Sequence, residues 1–327
     1  MQLKFANKAE VSLLRTLDKK LDSDDLSRDP SKNPSMGYAS LTVHHGELLQ
    51  GMFYDQEDKL YRALVTLPCQ LFKTETLFIP ERSKPVKVNN PFCKTKAQKA
   101  ARITLRYLGL ISWGGQLEIH SDVPQGLGLG SSTSDVTSSI LAVANAFGRV
   151  LSLEEISLLS VQAERASDPI IFGNRAVLFA HRDGVVVEDL GGDLPPLEVI
   201  GFNSEKQNKT VDTLSLPPAC YNWREIEEFR VLLGLMRKAI KDQDPRLIGK
   251  VASASARINQ KYLKKAELSK YESLVQDVGA LGLQIAHSGT VVGIILDPCE
   301  SNLKQKVKRI KSILYAMNYK QVWHFSN

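Results

Sequence analysis

The sequence predicts an α+β protein of two lobes that meet near residue 200. Two observations carry that prediction. Up to about Ile119 the apolar runs read mostly as strands, with one helical stretch among them. After Gly201 the pattern changes to three helix-length segments, a strand–turn–strand, a basic helix and a last strand. At 327 residues the chain is long enough for one large domain or two of ordinary size.

The elements follow in order. Leu14, Leu17 and Leu21 recur at helical spacing, and the polar stretch "DSDDLSRDPSKNPS" after them reads as a linker. Residues 1–35 are therefore expected to be an appendage, residues 36–200 the first lobe and 201–327 the second. The runs "YASLTV", "LYRALVTLPCQLF", "TLFIP", "KPVKV" and "GGQLEIH" predict strands, and Lys96 to Leu108 a helix. Ser131 to Phe147 predicts a helix with Ile140, Leu141, Ala144 and Phe147 on one face and Gly148 as its stop. A second helix opens at Ser152, where Glu155 stands at capping-box spacing. In "AVLFAHRDGVVVEDL", two β-rich runs flank Asp183-Gly184, the mark of a hairpin. Helices are predicted at Trp223 to Lys241, Pro245 to Gln260, Leu268 to Leu281 and Leu303 to Met317.

Composition narrows the function. An apolar fraction of 43% and a charged fraction of 24% belong to a globular protein. The net charge of +6 suits phosphate-bearing ligands. No stripe of aromatics interleaved with lysines argues for nucleic acid. The four cysteines are scattered, without metal or disulfide spacing. No apolar run is long enough to span a bilayer and the N-terminus lacks a signal-peptide core, so a cytoplasmic protein is expected.

The chemistry concentrates in "SDVPQGLGLGSSTSD". Gly126, Gly128 and Gly130 permit backbone conformations barred to other residues. Ser131, Ser132, Thr133 and Ser134 follow where a helix begins, so its unpaired N–H groups point into the loop. Such a loop can take phosphate oxygens. It is neither a Walker loop nor a GxGxxG fingerprint, and taken alone it fits a capped turn equally well.

Pro124, Gly128, Leu129, Gly130, Ser131 and Ser132 form "P-x-x-x-G-L-G-S-S", which resembles the phosphate-loop motif of the GHMP kinase superfamily. "HHGELLQG" (residues 44–51) is similar to the N-terminal substrate motif of that superfamily, and "AHSGTVVGIIL" (286–296) to its C-terminal glycine motif. Together with "FGNRAVLFAHRDG" and "ARINQKYL", these segments resemble most closely the L-threonine kinase branch linked to cobalamin side-chain synthesis. The resemblance covers about residues 36–327. One departure stands out: His45 precedes Gly46 where that branch has a small residue or cysteine, which puts the acceptor pocket in question.

The resemblance implies a two-lobed GHMP kinase-like fold, with an N-terminal ribosomal-protein-like βαβ lobe and a C-terminal ferredoxin-like α/β-sandwich lobe. It implies ATP and Mg²⁺ as cofactors and a small hydroxyl-bearing amino acid, L-threonine or L-serine, as acceptor. No membrane or nucleic-acid partner is implied, and a homodimer is left open. Pro124, Gly126, Gly128, Leu129, Gly130, Ser131, Ser132 and Thr133 become the nucleotide site. Glu164, at the edge of an apolar stripe where a cation partner would otherwise explain it, becomes the metal carboxylate with Ser131 or Ser132. Asp168, which could equally be a turn residue before Pro169, becomes the catalytic base. Glu47, Gln50, Ser288 and Gly289 become substrate contacts; surface and turn roles are their alternatives. His44 and His45 should point to opposite faces of an extended strand, each a satisfied or surface histidine. A homoserine or sugar kinase, or a non-catalytic nucleotide sensor on this fold, is the rival reading.

Overall fold

The computed structural model describes residues 34–89, 94–205, 220–262, 264–286 and 289–327. Most of the expected appendage, and Ser288, lie outside the described residues.

Strands β1 (Gly37–Tyr54) and β2 (Leu60–Arg82) form a long antiparallel pair. The runs "LYRALVTLPCQLF" and "TLFIP" are thus a single strand. Where the two runs meet, a helix satisfies the inward threonines: the Thr74 and Thr76 hydroxyls lie 2.8 and 2.7 Å from those of Ser134 and Ser138. β3 (Val86–Asn89) and β4 (Trp113–Ser121) extend the sheet on one side. The hairpin of β5 (Arg175–Ala180) and β6 (Val185–Asp193) branches from β2. On the other side stand β8 (Gly282–Ile285), β9 (Val291–Leu296), β7 (Glu198–Asn203) and β10 (Val322–Ser326). One sheet therefore runs through both halves, joined where Glu47 on β1 pairs with Ile285 on β8. β7 straddles residue 200 and pairs with β9 and β10.

Helices α1 (Thr95–Tyr107), α2 (Ser131–Ala146) and α3 (Leu153–Glu164) pack together in the first half. α1 and α2 bury Phe78, Leu117 and Ile119 against Ala101, Leu105 and Val143. α2 is buried nearly all round, and its Ser134 and Ser138 face the sheet as the Thr74 and Thr76 contacts show. The Ser152–Glu155 capping box is present at the start of α3. The odd-numbered residues Ala63, Val65 and Leu67 of β2 face α4 (Trp223–Asp242) and α5 (Pro245–Asn259), in a core with Phe229, Met236 and Val251. α6 (Leu268–Val278) and α7 (Leu303–Ala316) close the second half over Phe202, Ile294 and Leu314. Among the described residues, no helix is long and apolar enough to cross a membrane.

Candidate active site

The glycine loop enters α2 as a chain of left-handed turns. Gly126, Gly128 and Gly130 have φ of 75°, 84° and 75°. Gly130 is the N-cap of α2 and offers no side chain to the helix, and the first turn contains no acidic residue. The N–H groups there face the loop, where an anion would meet them and the positive end of the helix dipole. Leu127 and Leu129 are buried in the core beneath and anchor the loop. From behind, Thr290 and Val291 donate their N–H groups to the Leu127 carbonyl at 2.8 and 3.2 Å. Gly289 sits so close that a Cβ there would lie 2.0 Å from the Leu127 oxygen. Gly289 thus packs against the back of the glycine loop. A cleft of about 320 Å³ opens in front, lined by Lys94, Lys96, Gln125, Gly126, Ser131, Ser132 and Asp135 among others.

The end of α3 supplies the metal candidate. The helix stops at Glu164 because Arg165 turns left-handed, with φ of 71°. Asp168 therefore lies in the turn beyond the helix rather than at its end, as Pro169 demands by restricting the residue before it. Ser132 donates its hydroxyl hydrogen to Glu164 Oε2 at 2.6 Å, while Oε1 is buried without a hydrogen-bond partner. Burial pushes the Glu164 carboxyl up to about 7, against the pull of Ser132 and Lys96. Lys96 Nζ stands 3.8 Å from Glu164 and donates to Ser132 Oγ at 3.1 Å. Two hard oxygens side by side, one carboxylate oxygen unused, fit a magnesium ion that takes its other ligands from phosphate and water. Among the described residues, no group of three or more His, Cys, Asp or Glu could hold a metal by itself.

Asp168 is the centre of the other half of the site. His44 donates from Nε2 to Asp168 Oδ2 at 3.0 Å, and Thr133 Oγ1 stands 3.5 Å from the same oxygen. In the neutral ring the Gly46 N–H donates to His44 Nδ1 at 3.1 Å, which leaves the proton on Nε2. Burial opposes charge on His44, but the Asp168 carboxylate prevails and raises it to about 9. A second proton on Nδ1 would face the Gly46 carbonyl, 3.4 Å away. Asp168 moves the opposite way: burial pushes it up, and the charge and hydrogen bond of His44 hold it below the usual carboxylate range. The His44 ring lies directly under Gly130. His45 points to the other face, as expected, donating from Nδ1 to Gln284 Oε1 at 2.8 Å with Phe325 beside it. Burial lowers it to about 4.

Glu47 is buried, not a surface strand residue, because irregular pairing on both sides of it turns the strand into the joint of the sheet. Gln50 is buried as well. Its backbone is tied to α5, with its N–H donated to Ser255 Oγ at 3.0 Å and its carbonyl accepting from Asn259. Sequence reading missed His44, Arg62, His181 and Lys265. Lys265 Nζ donates to the Gly289 carbonyl at 2.6 Å, and burial lowers it to about 8 despite Glu205 and Glu47 nearby.

Comparison with known proteins agrees with this geometry. Residues 95–173 match the model described as GHMP kinases N terminal domain. The chain carries a GHMP kinase N-terminal domain. An L-threonine kinase of Salmonella typhimurium is 24% identical over 294 residues, covering 89% of this chain and 92% of that protein. A homoserine kinase of Streptococcus sanguinis is 24% identical over 63% of this chain and 70% of its own length. Among solved structures, homoserine kinase from Cytophaga hutchinsonii aligns at 17% identity and a TM-score of 0.62, covering 93% of this chain and 97% of that one. A structure of MDDEF in complex with MVAPP, AMPPCP and magnesium aligns at 16% identity and 0.64, over 90% and 98%. At these identities the structures establish the GHMP kinase fold. The matched domain begins at α1 and ends just after the turn that carries Asp168, so it holds the glycine loop, Glu164 and Asp168.

Proposed function

We propose that the protein is an ATP-dependent kinase that phosphorylates the side-chain hydroxyl of an amino acid, with L-threonine as the leading acceptor. The observation that carries the reading is the placement of Asp168. It is a carboxylate kept ionised by His44, one side chain away from the first turn of a bare helix N-terminus, with a fifth of its side-chain surface accessible. Phosphoryl transfer needs little more than positioning, charge stabilisation and a group to orient the attacking hydroxyl.

In this reading the N–H groups of Gly128 to Thr133 hold the triphosphate, Pro124 and Gly126 shape the entry to the loop, and Leu129 anchors it. Glu164 and Ser132, with Ser131 beside them, would hold Mg²⁺, which would supply positive charge to offset that of the phosphates. Lys96 stays beside that pair to meet the transferring phosphate. Asp168 accepts a hydrogen bond from the acceptor hydroxyl and receives its proton as the new bond forms. Glu47 accepts from the substrate ammonium, and Gln50 and Ser288 add polar contacts. Gly289 acts through the loop it supports. The L-threonine kinase likeness, which spans nearly the whole chain, favours threonine. The homoserine kinase likeness supports homoserine as the second reading. An ADP-release assay against L-threonine, L-serine, homoserine, galactose and mevalonate separates these acceptors, and threonine should give the highest kcat/KM.

A further inference from the structure

We propose that Arg62, with Gln50 and His181 beside it, is the seat of a carboxylate on the acceptor. The inference rests on the kinase reading and adds the chemical group that selects the substrate.

Strand register brings the three residues together. In the β1–β2 ladder Met52 faces Arg62 and Gln50 faces Leu64. Leu64 in turn faces Phe179 on β5. Carried two residues on, that antiparallel register sets Arg62 opposite His181, at the start of the β5–β6 turn. Directly opposed residues share a face of the sheet. This is the face away from the Ala63–Val65–Leu67 core. It is also the face that receives the Asp168 segment, because the Ser167 N–H donates to the His181 carbonyl at 2.8 Å and Phe172 packs on Phe179.

Side-chain polar atoms in this row lack partners. Gln50 Oε1, Arg62 Nε, Ser167 Oγ and His181 Nδ1 are all buried without a hydrogen bond. Unpaired buried polar groups are rare in a folded protein, and four from one neighbourhood suggest a ligand that pairs them. The charge balance gives that ligand its sign. Asp168 is already matched by His44, while the three cations Arg62, Arg182 and Lys265 stand against two carboxylates, Glu205 and Glu47. Burial pushes His181 down to about 4, so it is neutral and adds no charge. Arg62 keeps its charge at any ordinary pH and presents a planar fork that matches a carboxylate. An α-amino acid meets both requirements, with its carboxylate on Arg62 and its ammonium toward Glu47. A neutral sugar meets neither.

The test compares L-threonine with L-threoninol, which keeps the hydroxyl and ammonium but lacks the carboxylate, in the full-length enzyme and in Arg62→Met and Arg62→Lys. Steady-state kinetics should show the wild type preferring L-threonine strongly. Arg62→Met should raise the threonine KM about 10- to 100-fold, the loss of a hydrogen bond to a charged group, and should bring threonine and threoninol close to parity. Arg62→Lys should recover part of the preference, and calorimetric ATP affinity should stay within about twofold in both variants. Unchanged threonine-over-threoninol preference in folded Arg62→Met overturns the seat. So does loss of ATP affinity in parallel with threonine affinity, which marks a structural role. If Arg62→Met fails to fold, Arg62→Lys decides: a preference equal to wild type overturns the proposal. If the wild type turns over neither compound, nor L-serine or homoserine, the kinase reading has failed on its own. Calorimetric binding of L-threonine to wild type and variants then still tests the seat.

Discussion

Gly130→Ala is the most informative small change, because one methyl group reaches both halves of the site. Gly130 has φ of 75°, and a Cβ built there falls 2.5 Å from His44 Cδ2 and 2.8 Å from Nε2. His44 is 1% exposed and cannot swing into solvent. Carbon atoms need about 3.5 Å or more, so the ring must shift by roughly 1 Å. That shift stretches the 3.0 Å bond to Asp168 beyond hydrogen-bond range. The left-handed backbone costs the alanine about 1–2 kcal/mol. The broken bond to a charged partner costs a further ~1.5–3 kcal/mol. Urea unfolding of the ligand-free protein should therefore show a loss of about 3–5 kcal/mol, with kcat and ATP affinity both reduced. A double-mutant cycle with His44→Ala isolates the cause. Without the ring, Gly130→Ala should cost only the backbone strain, leaving a coupling of about 2 kcal/mol between the two sites. Equal costs in both backgrounds would refute the claim that the ring, rather than the loop alone, is what the methyl group meets.

Asp168→Asn keeps shape but loses basicity, so kcat should fall about 10²–10⁴-fold, the range for a positioned base, with calorimetric ATP affinity little changed; near-normal single-turnover transfer would remove Asp168 from the mechanism. For Glu164 the sign runs against stability. The folded protein keeps this proton up to about 7 while the ordinary value is 4.5, so stability falls as pH rises between the two. Glu164→Gln should accordingly stabilise the ligand-free protein by at most ~3 kcal/mol at pH 8, do nothing below pH 4.5, and raise the Mg²⁺ requirement of turnover. An unchanged Mg²⁺ requirement would return Glu164 to a purely structural role. Deleting residues 2–33, ahead of the Ser35–Ala146 backbone bond, should leave kcat and KM within about twofold, and loss of acceptor binding in the folded deletion would show that the segment belongs to the site.

Local chemistry made much of this protein legible in the sequence. Glycine at left-handed positions, hydroxyl residues at a helix start and the Ser152–Glu155 spacing all report on structure within a few residues. The element order followed from them. What stayed hidden depends on distant pairing. Lys73, Thr74 and Glu75 looked like a break between two strands because the partner of Thr74, Ser134, lies 60 residues away. His44 read as an ordinary strand histidine, since its partner Asp168 is 124 residues further along the chain. Arg62 reads as a charge on a strand that alternates inward and outward. Only the β2–β5 register, which no local pattern encodes, sets it opposite His181. The end of α3 is equally hidden: Pro169 is the visible stop, but the helix closes four residues earlier through the left-handed Arg165.

The central claim is that Asp168 and the phosphate loop together transfer a phosphoryl group to an amino-acid hydroxyl. Phosphorus NMR of the full-length protein with ATP, Mg²⁺ and L-threonine tests it most directly. The account predicts ADP and a phosphomonoester signal growing in equal amounts, the latter shifting with pH as its second ionisation does near 6 and coupled to the threonine β-proton. ATP that binds but yields only inorganic phosphate, or no acceptor-dependent product with threonine, serine or homoserine, would contradict it.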